Sequence, residues 1–334
     1  MKKVFITGIA GFLGSSLAKR FLELGYQVSG NDSLIGGYID NIPLGAKFYP
    51  VDCTNFLEMK KALSDCELLI HAAATAHEGL SVFSPSMITR NIFEASVTTL
   101  SAFIANKGKR FVFCSSMARY GIGNPPFRES DSPAPEDPYG IAKVAFEQIL
   151  VKLSAVHGYE YNIAVPHNII GPGQVYDDPF RNVVSIMFNR ALQGKDIIVY
   201  GNGSQTRCFS YVDDCLYCLI ALATDPKIKS EVVNIGPDEE VITILEVANL
   251  VKNLTGTGCN IVFYPDRPLE VRHAICSSDK ARKLLNYKTS TSLEEALKKT
   301  GEYIANRGTL PFDYRYELEI SNERTPVTWA EKKF

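Results

Sequence analysis

Lys3-Val4-Phe5-Ile6-Thr7-Gly8-Ile9-Ala10-Gly11-Phe12-Leu13-Gly14 runs from an apolar stretch, through three glycines, into a helical pattern. Val4, Phe5 and Ile6 read as a buried strand, and Phe12, Leu13, Leu17, Phe21 and Leu22 recur at helical spacing. Each glycine has its own reason. Gly8 permits the tight turn, Gly11 lets backbone approach a phosphate, and Gly14 lets the helix pack closely on the strand. Amides left unpaired at the start of that helix face an anion, so the turn reads as a cradle for a pyrophosphate. Gln27-Val28-Ser29-Gly30 reads as a second strand, and Asp32 follows about 20 residues beyond the glycines, where a carboxylate accepts hydrogen bonds from an adenosine ribose. No arginine directly follows Asp32, and its carboxylate would repel a 2′-phosphate. The expected dinucleotide is therefore NAD rather than NADP. A plain strand-turn-helix connection is the alternative reading of the glycines alone.

Strand candidates at 3–7, 27–31, 47–51, 67–72, 110–115 and 161–166 alternate with helical stretches near 12–24, 55–64, 88–106 and 139–157. That alternation predicts right-handed crossovers and an α/β protein with a Rossmann-type, doubly wound parallel sheet covered on both faces. Past Gly171-Pro172-Gly173 the alternation weakens, and a smaller C-terminal substrate region is expected to begin. Val232-Val233-Asn234-Ile235-Gly236 reads as a strand returning to the first sheet. The expected division is a nucleotide-binding domain over 1–167 with a return segment at 206–236, and a substrate region in 168–205 and 237–334. The aromatic tail from Pro311 to Trp329 has no periodicity and is expected to wrap the body or a neighbouring subunit.

The 334 residues are 46% hydrophobic, enough for a substantial core without disulfide or metal staples. A net charge of -2 from 35 basic and 37 acidic residues carries no footprint for nucleic acid, so the expected partner is a small molecule. No apolar run has the length of a membrane span and no secretory leader pattern opens the chain, which predicts a cytoplasmic protein. Eight scattered cysteines read as reduced thiols. Cys215 and Cys218 form a CxxC without a second pair or histidines nearby, so buried helical cysteines are favoured over a zinc or redox site, and no metal is expected. His71, at a strand end, reads as a packed histidine rather than a ligand.

Tyr139-Gly140-Ile141-Ala142-Lys143 opens an amphipathic segment on which Tyr139 and Lys143 share one helical face. An ammonium beside a phenol favours the phenolate, which predicts a tyrosine base of lowered pKa. Two surface residues one turn apart are the alternative. Ser115 and Ser116 end the apolar run Phe111-Val112-Phe113-Cys114, at the edge of the sheet where a hydroxyl reaches the same substrate oxygen. A serine there also serves as a cap or turn former.

With these residues together, the chain resembles the extended short-chain dehydrogenases/reductases and, within them, the nucleotide-sugar epimerases and dehydratases. The likeness covers most of the sequence. Its signatures are the glycine turn, Asp32, His71-Ala72-Ala73-Ala74, Ser115-Ser116-Met117-Ala118-Arg119-Tyr120-Gly121 and Tyr139 through Lys143. The resemblance implies Ser116 as the catalytic hydroxyl, Tyr139 as the base, and Lys143 also on the nicotinamide ribose of NAD. It implies Gly8, Gly11, Phe12, Leu13, Gly14, Asp32, Ala72, Ala73 and Ala74 along the cofactor, with Asp52 at the adenine and Cys53 beside it. For a nucleoside diphosphate sugar it implies Asn168, Asn182 and Val183 near the diphosphate, Arg207 and Arg267 gripping it, and Glu270 on the uridine ribose. A homodimer through the helices near 88–106 and 139–157 is also implied.

Dehydratases of that family carry Asp and Glu directly after the catalytic Ser/Thr, where this chain has Met117 and Ala118, and its reductase-epimerases carry a cysteine where Ala118 stands. Neither side chain transfers a proton. Epimerisation at C4 of a UDP-sugar is the reading that survives, with a 4-keto reductase or dehydratase and a non-catalytic NAD-binding regulator as alternatives. Ala274, in Arg272-His273-Ala274-Ile275, leaves both UDP-Glc and UDP-GlcNAc open.

Overall fold

In the computed structural model, which describes residues 2–334, seven strands form one sheet. They are β1 (Lys3–Thr7), β2 (Gln27–Asn31), β3 (Lys47–Tyr49), β4 (Leu68–His71), β5 (Arg110–Cys114), β6 (Glu160–Pro166) and β7 (Glu231–Ile235). Their spatial order is β7-β6-β5-β4-β1-β2-β3, with every neighbouring pair parallel. The order reverses between β1 and β4, which is where a doubly wound sheet opens a crevice beyond its carboxyl ends. The expected return of the chain to this sheet is seen directly, because β7 pairs with β6.

Both faces of the sheet are buried, which is why its strands read as continuous apolar runs rather than alternating ones. Val4, Ile6, Ile70 and Val112 join one core with helix α1 (Phe12–Glu23). Phe5, Leu69, Phe111 and Phe113 point the other way, into a core with Phe103 of α2 (Ala95–Ala105) and Phe146 of α3 (Pro138–His157). Burying each such side chain contributes about 1.5–3 kcal/mol, so the two apolar layers hold the sheet edges fixed beneath the crevice. Helix α4 (Val212–Thr224) buries Cys215 and Cys218 within the first core, and burial pushes both thiols up.

Most boundaries shift by a residue or two, and two of the departures have an identifiable cause or consequence. Strand β3 stops at Tyr49, because Pro50 has no N–H to donate. The helix expected over 88–106 is split into Pro85–Thr89, a wide π turn at Arg90–Glu94, and α2. The π turn carries Asn91, which lines the crevice and donates to the Thr75 hydroxyl at 3.2 Å. The tail wraps the body. Asp313 N–H donates to the Asp177 carbonyl at 2.7 Å, Ile320 N–H donates to Phe83 at 2.9 Å, and Trp329, 2% exposed, packs edge-on against Phe83 and Phe180. Among the described residues, no helix is long and apolar enough to cross a membrane.

Candidate active site

Two adjoining clefts open above the carboxyl ends of the strands and share Phe12, Leu13, Ala72, Ala74 and Arg181. The first is lined by Gly8, Gly11, Phe12, Leu13, Gly14, Asp32, Asp52, Cys53, Ala72, Ala73 and Ala74. Its floor admits no side chains. Gly8 has φ +72°, and a Cβ there would lie 2.8 Å from the Ala73 Cα; a Cβ on Gly14 would lie 2.7 Å from the Gly8 carbonyl carbon. Among the described residues no side chain caps the start of α1, so its first amides are free to face an anion. The Asp32 carboxylate accepts the amides of Ala10 at 3.0 Å and Leu34 at 2.8 Å. Burial raises its pKa, and the amides of Leu34, Ala10 and Gly11 oppose that rise. These residues fit a dinucleotide.

The second cleft encloses about 360 Å³ and is lined by Ser116, Tyr139 and Lys143. That falls within the roughly 300–1,000 Å³ of typical ligand sites, and the cleft continues into solvent at its mouth. Asp137 caps α3 by accepting the Gly140 amide at 2.7 Å, with Pro138 in the first turn, and this start aims Tyr139 and Lys143 inward. The two serines part company. Both line the cleft, but Ser115 donates its hydroxyl to Glu147, whereas Ser116 makes no such donation to a carboxylate. Glu147 continues the stripe of Tyr139 and Lys143 at four-residue spacing, and pairs with Arg119 at 2.9 Å, both side chains 6% exposed. One face of α3 thus carries the phenol and ammonium and also clamps the serine turn.

The expected lowering of the Tyr139 pKa is not found. Burial pushes the phenol up and the Glu78 carboxylate adds to that, while the Ser116 hydroxyl pulls the other way. Lys143 does not prevail because its Nζ lies 5.8 Å from the Tyr139 ring centroid and donates to the Cys114 carbonyl at 2.8 Å. Burial also pushes the Lys143 ammonium itself down to about 8. Desolvation here outweighs the attraction of ammonium for phenolate.

Asn168, Asn182, Val183, Arg207, Arg267 and Glu270 all line the second cleft. Both asparagines sit at positive φ, +44° and +24°, a region asparagine tolerates better than most residues. Asn182 caps the following helix by accepting the Val184 amide at 3.1 Å. Glu270 lies between the arginines, 3.5 Å from Arg207 and 2.6 Å from Arg267. Sequence reasoning missed Glu78, Arg181 and Phe334 on these walls, and Tyr316 in the first cleft. Only Glu147, at four-residue spacing from Lys143, left a signal that could have been followed.

Comparisons with known proteins agree with this geometry. The family model described as "NAD dependent epimerase/dehydratase family" matches residues 4–236. A UDP-N-acetyl-alpha-D-glucosaminuronate decarboxylase of Bacillus cytotoxicus is 30% identical over 314 residues, spanning 90% of this chain and 96% of the relative. The crystal structure of a UDP-glucose 4-epimerase from Thermotoga maritima with UDP-glucose has a TM-score of 0.85 at 30% identity, covering 91% of this chain and 99% of that one. A UDP-glucuronic acid 4-epimerase from Bacillus cereus, in complex with UDP-glucuronic acid and NAD, has a TM-score of 0.84 at 27% identity, covering 92% and 100%. With the glycine cradle, the reversed sheet order and the family match in agreement, the chain belongs to the NAD dependent epimerase/dehydratase family.

Proposed function

We propose that this protein catalyses 4-epimerisation of a UDP-sugar, with residues 1–167 and 206–236 on the NAD side and residues 168–205 and 237–334 holding the nucleotide sugar, joined there by Arg207, whose short strand pairs with Ile242–Thr243 and His273–Ala274 of the latter region. The observation that carries the reading is the meeting of Ser116, Tyr139 and Lys143 in one cleft that adjoins the glycine cradle. NAD, when bound, would supply a reversible two-electron acceptor for C4 and a positive charge near the phenol.

In this reading Tyr139 takes the O4 proton as phenolate and returns it, and Ser116 holds O4 by a hydrogen bond. Lys143 stabilises the phenolate and fixes the ribose beside it. Arg207 and Arg267 exchange part of their pairing with Glu270 for the diphosphate, while Asn168 and Asn182 present amides to it. Glu270 accepts from the uridine ribose. Met117 and Ala118 offer no acid or base for loss of water, which supports epimerisation over dehydration. The 30% identity with a decarboxylase keeps the choice of reaction a matter for assay. The chain is proposed to pair with a second copy through the helices near 88–106 and 139–157, on which Ile141 and Val151 are exposed.

Incubation with UDP-, GDP- and dTDP-sugars, followed by proton NMR of the products, tests the proposal. A C4 epimer formed without added reductant is expected. Tyr139→Phe should lower turnover about 10²–10⁴-fold with the melting temperature unchanged. Product formed only with stoichiometric NADPH, or full activity in Tyr139→Phe, would refute it.

A further inference from the structure

The second cleft carries one carboxylate for which the proposed chemistry has no use. Glu78 opens the short helix Glu78–Ser81 and lines the cleft together with Tyr139, Arg207 and Arg267. A sugar whose O4 met the Tyr139 phenol and whose diphosphate met the guanidinium groups would lie in this same cleft, in the field of a carboxyl that raises the pKa of the phenol and is itself held down by both arginines.

The backbone at Glu78 is anchored from both flanks. His77 Nε2 lies 2.7 Å from the Asp178 carboxylate, with both side chains buried. A Cβ on Gly79 would come within 3.2 Å of the Trp329 ring and 3.6 Å of the Arg267 guanidinium. The side chain of Glu78 is nonetheless exposed to the cleft. Arg207 and Arg267 make their direct ion pairs with Glu270, so Glu78 feels both guanidinium groups through space but pairs with neither. Protein packed around the carboxyl pushes its pKa up to about 7, Asp137 and Glu270 adding to the rise and the two arginines opposing it, so the group is fully an anion only on the alkaline side of neutral, and the comparison below is made at about pH 8.5. A further anion brought to this wall would have to be desolvated against a group already short of positive partners.

Resting on the reading of this cleft as a nucleotide-sugar site, we infer that Glu78 selects a neutral hexose over a hexuronate, its carboxylate accepting a ring hydroxyl and repelling a sugar carboxylate. The decarboxylase relative from Bacillus cytotoxicus is named for a uronate substrate. Glu78 sets this chain apart from such a substrate. Discrimination of this kind needs an unfavourable element against the wrong ligand as well as contacts to the right one, and a fixed carboxylate supplies both.

The test uses the NAD-saturated wild type and the variants Glu78→Gln and Glu78→Ala. Affinities for UDP-glucose, UDP-N-acetylglucosamine and UDP-glucuronate are read by calorimetry, and kcat/KM by NMR of the products. Wild type should favour the neutral sugars about a hundredfold, the scale set by two like charges meeting in a partly buried site. Glu78→Gln is near-isosteric and removes no pairing within the protein, so its melting temperature should hold. It should narrow the preference at least about tenfold, mainly because the uronate gains. A wild type that prefers UDP-glucuronate, or a Glu78→Gln change that moves all three sugars by one factor, overturns the assignment. Binding without turnover would refute the epimerase reading while the affinity ratio still decides on Glu78. Failure to bind any of the three overturns both.

Discussion

Removing the Glu147 carboxylate should damage this protein more than removing any surface charge. Glu147 takes the Ser115 hydroxyl and accepts from Arg119 through Nε at 3.2 Å and Nη2 at 2.9 Å, both side chains being 6% exposed. Among the described residues Arg119 Nη1 has no hydrogen-bond partner, so the guanidinium depends on this one carboxylate. Glu147→Ala leaves a buried cation uncompensated, at a cost of about 3–5 kcal/mol. With an unfolding entropy of about 2.1 cal/mol/K per residue over 334 residues, the melting temperature should fall about 4–7 °C. The double variant Arg119→Leu/Glu147→Leu removes both charges and should recover most of that loss, a coupling of about 2–3 kcal/mol. Its turnover should stay low, because nothing then fixes the Ser115 hydroxyl beside Ser116. Thermal unfolding of wild type, both singles and the double at one fixed NAD concentration measures the cycle, since bound ligand shifts apparent stability. Strict additivity of the two single losses, or a fall of under about 1 kcal/mol in Glu147→Ala, would refute the reasoning.

Burial pushes the His71 imidazole down from 6.5 to about 3, and the neutral ring is held between the Thr7 and Ser96 hydroxyls at 2.8 and 2.9 Å. The unfolded chain binds the proton that the folded one refuses, so stability should be lost as pH falls below about 6.5, by up to about 1.4 kcal/mol per unit. Denaturant unfolding from pH 7 to 5 should show a flatter slope in His71→Gln; equal slopes would reject the assignment. Gly14→Ala puts a Cβ 2.7 Å from the Gly8 carbonyl carbon and should cost about 1–3 kcal/mol together with NAD affinity. Gly11→Ala, at φ -74° and 3.1 Å from the Gly8 oxygen, should keep the fold and lose affinity alone, as thermal shift and NAD titration would show. Trp329→Ala empties a site between Phe83 and Phe180, at about 3–5 kcal/mol. It should also raise KM for the nucleotide sugar, because the Arg267 guanidinium lies 5.9 Å from that ring; an unchanged KM would separate the tail from the site.

The sheet was legible because parallel strands buried on both faces leave uninterrupted apolar runs, and because Gly8, Gly14 and Asp32 sit in a local segment where spacing alone carries geometry. Tyr139 and Lys143 were legible for a similar reason, their spacing being that of one helix. What local pattern did not carry is set by distant packing. The π turn at Arg90–Glu94 has no composition of its own. The pKa of Tyr139 depends on how deeply it is buried and on Glu78, 61 positions earlier in the chain. The engagement of the Ser115 hydroxyl by Glu147 comes from another element, 32 positions along the chain. Glu78 belongs to no periodic stretch, and its setting needs Trp329 and Arg267 brought across from the far end of the sequence.

The tail touches both ligand clefts, through Tyr316 at the first and Phe334 at the second. Arg315 ties it to Asp177 at 3.0 Å, and Tyr316 donates to the Ile35 carbonyl at 3.2 Å. One segment seated on two walls ties their shapes together, so a substitution that unseats it would be felt in both clefts, although it carries none of the groups proposed for proton transfer.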